Sequence, residues 1–414
     1  MRQLVKQCHK KRVKAENKMI KVLMTISLFS LLLNADIISY YKNVQKTLAY
    51  DKTYSLYKKA NNISKESINY TRYANFAFDA NYASTKAKTL SSPFSTTDMV
   101  FNDTLDLFGK RSYKVKELSL DLKEKKSLLN LEKEQLFTTL VYMLSQYHKV
   151  NEQLLLHKIL LTQQESIYIK LQKLQNSGVI TSIDLLRFKN TLTALKTKVI
   201  SEEFEQSKMK KQLKLYAPHE DIPSLKQMKL LYVKEDFLSY NPALKINELN
   251  AKRLNIQARS SQNNYLPDVI AGVAYQQLGD PTGYGDNYSF KIGLHMLLNG
   301  GDFKQAEALR LQALMQQSKT FQYKINRKNR YTKLYEDYLN AQKQLAVLQE
   351  ALDDYDKSEK TIKIAFLKQY VDFNTYIQVL TQTLNIKEQI IAMKYQKSSC
   401  ATILNMISSG KIYE

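Results

Sequence analysis

From Asp302 to Ser409 the sequence contains neither Gly nor Pro, and its apolar residues recur at a heptad spacing. Leu334, Tyr338, Ala341, Leu345, Leu348, Leu352 and Tyr355 step alternately by four and three, and Ile362 and Phe366 keep the register. An α-helix turns once in about 3.6 residues. This spacing therefore lays a narrow apolar seam along one side of a helix, the pattern by which long helices pack on one another rather than on a globular core. The periodicity pauses from Leu367 to Asn374 and resumes at Ile377, Leu380, Leu384 and Ile391. The reading is a helix, a tip and a second helix running back.

The same layout stands earlier in the chain at an offset of 192 residues. Gly109 closes one apolar stretch as Gly301 closes another, and Gly178 follows Gly109 by 69 residues as Tyr370 follows Gly301. Asn190, Thr191 and Leu192 answer Gln382, Thr383 and Leu384. The halves share spacing rather than identity, which points to two copies of one supersecondary unit.

Breakers are scarce elsewhere too: 414 residues hold ten Gly, six Pro and no Trp, and six of the glycines fall between Gly272 and Gly300. Gly and Pro interrupt helices, so the remainder is left to very long ones. The formal charge of +23 includes +7 from residues 1–35, and the rest is Lys interleaved with Glu, as in Lys123, Glu124, Lys125 and Lys126. A nucleic-acid groove would gather its cations on one side among aromatics, so no nucleic acid is expected as a partner. Cys8 and Cys400 do not suggest a disulfide framework, and Cys8 falls in a segment expected to be removed. The five histidines, among them His148 and His157, lack metal-ligand spacing and are read as helix-surface residues. Neither a metal nor any other cofactor is expected.

The chain opens on a basic stretch, Met1–Lys21, then an apolar run from Val22 to Leu33 and the small residue Ala35. That is the order of a secretory signal peptide over residues 1–35, complete even if translation starts at Met19. The run is short of the ~20 residues a membrane-crossing helix needs. A Tyr-rich helix is expected from Ile37 to about Asn69. Phe76, Phe78, Ala80 and Tyr82 then alternate with Ala77, Asp79 and Asn81. After a loop at Leu90–Thr96, Met99, Phe101, Asp103, Leu105 and Leu107 alternate again, giving strands over about 73–84 and 97–108. Lys110–Ser177 is free of Gly and Pro and keeps helical spacing, and at about 1.5 Å per residue such a helix reaches roughly 100 Å. Its tip spans about 176–184, and a return helix runs from about Ile183 to Tyr216. Pro218, Pro223 and Pro242 mark a linker over 217–241.

The second half repeats this order. A helix from Pro242 to about Asn264 leads to strands over about 265–277 and 287–298 around a Gly-rich loop, Gly279–Asp286, and the long passage has its tip over about 367–376. The domains are thus a first repeat over 36–216, the linker, and a second repeat over 242–414. Each repeat is helix, strand, strand and long helical hairpin. The expected strands of 11 to 13 residues suit a tilted membrane crossing, which takes about 9–11. One face of each is apolar or aromatic and the other small or polar, as for lipid outside and a wet lumen inside. Four strands cannot close a pore, so copies of the chain must combine.

Asn241, Pro242, Ala243 and Leu244 open the second half, Tyr265, Leu266 and Pro267 enter its first strand, and Leu298, Asn299, Gly300 and Gly301 close its second. Ser177, Gly178, Val179, Ile180 and Thr181, with Asp184, form the first tip. In this order, behind a secretory start and on two repeats, these segments resemble the TolC-like outer-membrane efflux proteins over essentially all of the mature chain. The resemblance implies a homotrimer, mainly α with a membrane β-barrel portion: a 12-stranded β-barrel among outer-membrane lipid, continued through the periplasm by an α-helical barrel. It implies a passive exit duct of a tripartite efflux or type I secretion system, served by a periplasmic adaptor and an inner-membrane pump. It places an adaptor-docking tip at Gly178, Val179, Ile180, Thr181 and Asp184 and the periplasmic entrance at Tyr370, Asp372, Phe373 and Tyr376. The family's second tip often has Gly where Tyr370 stands, and the acidic ring of some members would fall near Tyr376 and Val379. An aromatic or polar closure by Tyr370, Phe373 and Tyr376 is therefore expected, the alternative being that these rings pack between neighbouring helices.

No carboxylate is paired with a His or a nucleophile in a loop context, and the Gly279–Gly285 stretch lacks the Lys of a phosphate-binding loop, so no catalytic residue and no enzyme is expected. The alternative function is a periplasmic coiled-coil adaptor or scaffold of the same kind of system. An adaptor carries one helical hairpin with soluble β-domains, whereas here the hairpin is doubled.

Overall fold

The computed structural model describes residues 37–73, 76–85, 94–226, 228–280, 283–296, 299–368 and 370–413. The signal peptide expected over 1–35 lies outside the described residues, as does most of the loop expected at Leu90–Thr96. In chain order the elements are α1 (37–47), α2 (Tyr50–Tyr73), β1 (Phe76–Thr85), β2 (Phe94–Leu105), α3 (Lys110–Asn176), α4 (Ser182–Tyr216) and α5 (Lys234–Ser239). Then come α6 (Pro242–Gln262), β3 (Asp268–Asp280), β4 (Gly283–His295), α7 (Gly300–Ser318), α8 (Thr320–Leu367) and α9 (Phe373–Ser408). Among the described residues no helix is long and apolar enough to cross a membrane. The elements gather into two compact units. One takes the residues up to Ala49, Glu132–Tyr240 and Arg327 onward, the other Tyr50–Leu131 and Asn241–Asn326.

In the second of these units the strands form one antiparallel sheet in the order β1-β2-β3-β4. The β2–β3 pairing joins the hairpins of the two halves, with Phe101 opposite Val273 and Met99 opposite Tyr275. Successive side chains on a strand point to opposite faces, so the register sorts them. One row runs Phe78, Phe101, Val273, Phe290, and its neighbour two residues along runs Phe76, Asp103, Ala271, Ile292. The intervening row on the other face runs Ala77, Asn102, Gly272, Lys291. The apolar face is open: Phe78, Phe101, Phe290, Ile292 and Leu294 are all exposed. On the polar face Gly272 gives the Asn102 side chain its place, since a Cβ there would overlap that carboxamide and come within 3.0 Å of the Phe101 carbonyl oxygen.

Each strand is displaced by a few residues from its expected range, for local reasons. In the first hairpin Asp106 leaves the ladder to cap α3, accepting from the amides of Lys110 at 2.9 Å and Arg111 at 2.8 Å, so β2 ends at Leu105 rather than near 108. In the second, Asn263–Tyr265 forms a 3-10 turn and Pro267 has no amide to offer a ladder, so β3 starts at Asp268 rather than 265. The Gly279–Asp286 stretch is not a long loop: Gly279 pairs with Tyr284 and Asp280 with Gly283, leaving two residues between β3 and β4. The single helix expected from Ile37 breaks at Ala49, whose φ is 56°. The passage from Asp302 likewise breaks at Lys319, between α7 and α8. Helices α6 and α7 lie antiparallel, Asn247 donating to the Gln316 carbonyl at 2.7 Å and Ser261 to the Asp302 carbonyl at 3.0 Å. Buried Ala258, Ala306 and Ala313 let them approach.

The other unit is built on seams. Along α8 the buried residues are Arg327, Tyr331, Leu334, Tyr338, Ala341 and Leu345, the steps of four and three legible in the sequence. Against them pack α1 through Tyr40, Tyr41 and Val44, α3 through Phe137, Leu140 and Val141, and the end of α9 through Ile403, Leu404 and Ile407. The polar ends of buried tyrosines are satisfied: Tyr40 donates to the Leu213 carbonyl and Tyr41 to the Lys133 carbonyl, each at 2.9 Å. Among the described residues one carboxylate is sealed inside this unit. Glu134 has no exposed surface and accepts from Arg327, Arg330 and Tyr413. The Arg327 guanidinium also lies 4.1 Å from the centre of the Phe237 ring and donates to the Phe237 carbonyl at 3.2 Å.

Candidate functional site

The two tips share one closing backbone hydrogen bond. At the end of α3 the Val179 amide reaches back to the Leu174 carbonyl at 2.9 Å and Gly178 to that of Gln175 at 2.9 Å, with Gly178 at a φ of 75°. This is the Schellman closure, in which a left-handed residue ends the helix, and glycine adopts that conformation without a Cβ clash. At the end of α8 the Tyr370 amide bonds the Ala365 carbonyl at 2.9 Å. Tyr370 therefore corresponds to Val179, not to Gly178, and the offset between the repeats is 191 at the tips instead of 192. The return helices agree. Thr181 caps α4 by accepting from the Asp184 amide at 3.1 Å, and Asp372 caps α9 by accepting from the Thr375 amide at 2.8 Å. The two caps exchange residue types: Thr181 donates its hydroxyl to Asp184 at 2.7 Å, while at the second tip the Asp is the cap and the Thr the partner. Hydrogen bonds from the Thr375 hydroxyl and then its amide hold the Asp372 carboxyl below its ordinary range.

Behind the turns lies a shared core. Ile167 and Leu171 of α3, Phe188 of α4, and Tyr376 and Leu380 of α9 are buried together, with Phe366 of α8 and Phe373 packed on them. Tyr376 is 1% exposed, stacks on Phe366 with ring centres 4.7 Å apart, and pairs its hydroxyl with the buried Gln164 carboxamide at 3.1 Å. Burial pushes its phenol up to about 12. Phe373 meets Phe188 edge-on at 6.0 Å. Of the residues expected at an entrance, Tyr376 is thus a brace inside the tip core and Phe373 is half-buried beside it. Tyr370 alone among the three rings stands out, at 80% exposed. In front of this core Val179, Ile180, Thr181 and Asp184 of the first tip and Tyr370, Asp372 and Phe373 of the second line one groove of about 370 Å³. The structure brings the two predicted groups of site residues to the same place.

Among the buried polar side chains that the sequence reading did not anticipate are two on α3. His157, read from sequence as a surface residue, has no exposure, and Gln164 is 5% exposed. The signal was present: Val150, His157, Gln164 and Leu171 stand seven apart, all buried, so the two polar residues occupy a heptad seam position.

A sheet with one open apolar face, joined from hairpins of both halves, and long paired helices ending in capped tips define a fold, the one shared by solved outer-membrane channel proteins. The outer membrane protein VceC from Vibrio cholerae superposes with a TM-score of 0.71 over 90% of this chain and 96% of its own, at 12% identity. A membrane protein from Pseudomonas aeruginosa gives 0.73 over 90% of each chain, and the Campylobacter jejuni CmeC outer membrane channel 0.67 over 92% and 86%, both at 12% identity. The likeness is one of fold. No protein-family model and no curated protein sequence matches the chain.

Proposed function

We propose that this chain is one of three identical subunits of an outer-membrane exit duct. The observation that carries the reading is the sheet: an apolar face left open on four strands, of which β1 and β4 are each paired on one side only among the described residues. An unpaired edge is a template for another strand, and four strands cannot close a cylinder, whereas three copies supply twelve. The strands of 10 to 13 residues fit a tilted bilayer crossing of about 9–11. The Phe-rich face, which also carries Asp103, would meet lipid, and the face that carries Asp79, Asp98, Asn102, Gln276 and Lys291 a wet lumen. The fold likeness to solved outer-membrane channels supports the same conclusion.

On this reading the chain is exported behind the 1–35 signal peptide and consists of two repeats, 36–216 and 242–414, joined by 217–241. The paired helices α3/α4 and α8/α9 contribute to a periplasmic helical tube. The groove at the tips receives a periplasmic adaptor that links the duct to an inner-membrane pump. Val179 and Ile180 offer the adaptor an apolar contact, and Asp184 beside them a polar one. Tyr370 and Asp372 are the groups at the entrance itself, with Phe373 and Tyr376 stiffening the tip behind them. The test is fractionation of expressing cells followed by sizing and bilayer recording of the purified protein. The expected result is resistance to carbonate extraction from the outer membrane, a trimer in detergent and stepwise conductance. A water-soluble monomer needing no detergent would overturn the proposal.

A further inference from the structure

Where α3, α4 and α9 meet, one buried imidazole holds two carboxylates. Nδ1 of His157 on α3 lies 2.7 Å from Glu202 Oε2 of α4, and its Nε2 lies 2.8 Å from Glu388 Oε1 of α9. Lys198 of α4 reaches the same Glu388 oxygen at 2.6 Å. A carboxylate only accepts, so two carboxylates on the two ring nitrogens require an N–H on each, which the imidazolium alone provides. The two cations then cancel the two anions. Without the ring proton the cluster keeps one uncompensated negative charge, and a nitrogen lone pair faces a carboxylate.

Burial pushes the His157 pKa down, but the hydrogen bonds to Glu388 and then Glu202 outweigh it, and the net displacement is upward. Burial also works against ionised Glu388, yet contacts from His157 and Lys198 hold its pKa below the ordinary value. The neighbouring charges are engaged elsewhere: Lys158 with Glu203 at 2.6 Å, Lys387 with Asp356 of α8 at 2.8 Å, and Lys394 with Glu152 at 2.8 Å. Beside the cluster the same three helices leave a cleft of about 200 Å³, lined in part by Gln164, Leu192, Leu195, Lys198 and Leu384. Apolar packing between α4 and α9 is therefore interrupted next to the ionic contacts.

We propose that His157 is a protonation-controlled latch between the return helices α4 and α9: charged, it ties both to α3, and neutral, it keeps a single N–H and releases one of them. A group whose pKa is raised by folding contributes fully below its unfolded value, and the contribution is lost as pH rises through the folded value. The latch therefore loosens on the alkaline side of the ordinary histidine range. It stands on the geometry of this chain alone, and only its consequence, a more readily widened helical tube at higher pH, rests on the duct reading.

The experiment follows hydrogen exchange of residues 195–206 and 384–392 in the full-length protein in detergent from pH 6 to 9, corrected for intrinsic exchange, alongside the ¹³C-histidine NMR signal of His157. The expected result is a His157 titration above the ordinary histidine range, with opening of one of the two segments rising about tenfold through it while the other stays held, the measure of one charge-assisted hydrogen bond. His157→Gln, which has one donor and one acceptor, should be already loosened and insensitive to pH. If that variant fails to fold, Glu388→Gln should move the His157 titration back toward its ordinary value and shrink the step. A His157 that titrates at or below the ordinary histidine value, or an undiminished step in either variant, would overturn the latch. No conductance is read, so failure here and failure of the duct reading are separate results.

Discussion

Replacing Glu134 by Leu removes a carboxylate sealed in the core of the α1/α3/α8/α9 unit while keeping its bulk. Three donors converge on it, and they differ in what they do when it is gone. Arg330, about a third exposed, can turn to water. Tyr413 loses one hydrogen bond, worth about 1 kcal/mol. Arg327 is 6% exposed, held by the Phe237 ring and carbonyl, and cannot follow. An arginine left buried without its counter-ion costs about 3–5 kcal/mol, which sets the magnitude for the variant. Since about 1.4 kcal/mol is a factor of ten, the amides of α3 and α8 around Glu134 and Arg327 should open roughly 10² to 10³·⁵ times more often, as read by native-state hydrogen exchange in detergent. The companion variant, Glu134→Leu with Arg327→Met, takes both charges away and should recover most of the loss, because paired buried charges gain little over apolar packing of similar volume. The reasoning is refuted if Glu134→Leu costs less than about 1 kcal/mol, or if the double variant costs as much as its two single changes added together.

The tip residues separate by the same logic. Tyr376→Ala should destabilise the tip core by about 3–5 kcal/mol, since it empties the space between Phe366, Phe188 and Leu380 and orphans Gln164, whereas Tyr370→Ala should cost under about 0.5 kcal/mol and act instead on channel closure. Exchange of α9 amides and single-channel records read the two effects, and equal destabilisation would contradict the placement of the rings. Thr181→Ala should fray the first turn of α4 by about 1 kcal/mol, seen as faster exchange at residues 182–185. Asp372, whose pKa is lowered, contributes its cap fully above the ordinary carboxylate range and loses it only as pH falls through the lowered value. The first turn of α9 should therefore keep its protection from pH 8 to about 5. Fraying within that span would count against the cap.

What was legible in the sequence was whatever depends on periodicity. The seam on α8 and the alternation of Phe76, Phe78 and Tyr82 follow from 3.6- and 2-residue repeats that burial or exposure makes plain. The alternating register also showed which strand face is apolar. Element ends were less legible, because they are decided by single hydrogen bonds: Asp106 leaving the ladder for α3, Pro267 withholding an amide, the Tyr370 amide closing α8 one residue off the expected repeat. Of the candidate site, the place of the second tip was legible where the apolar periodicity pauses and that of the first around Gly178, whereas the residues named on them came from the resemblance. The role of Tyr376 was not, since a ring at the mouth and a ring in the core have the same spacing until Gln164 and Phe366 are seen around it. His157 was missed because attention to apolar residues passes over a polar one holding a seam position.

The central claim is that the Phe-rich face of the sheet lies against lipid. The chain has no Trp, so a single introduced one is an unambiguous reporter. Phe290→Trp places it on that face and Ser289→Trp on the opposite face of the same strand. In vesicles carrying brominated acyl chains, the account predicts strong quenching at position 290 and little at 289, with the order reversed for an aqueous quencher. Equal quenching at the two positions, or Trp at 290 accessible to water and untouched by the brominated lipid, would contradict it.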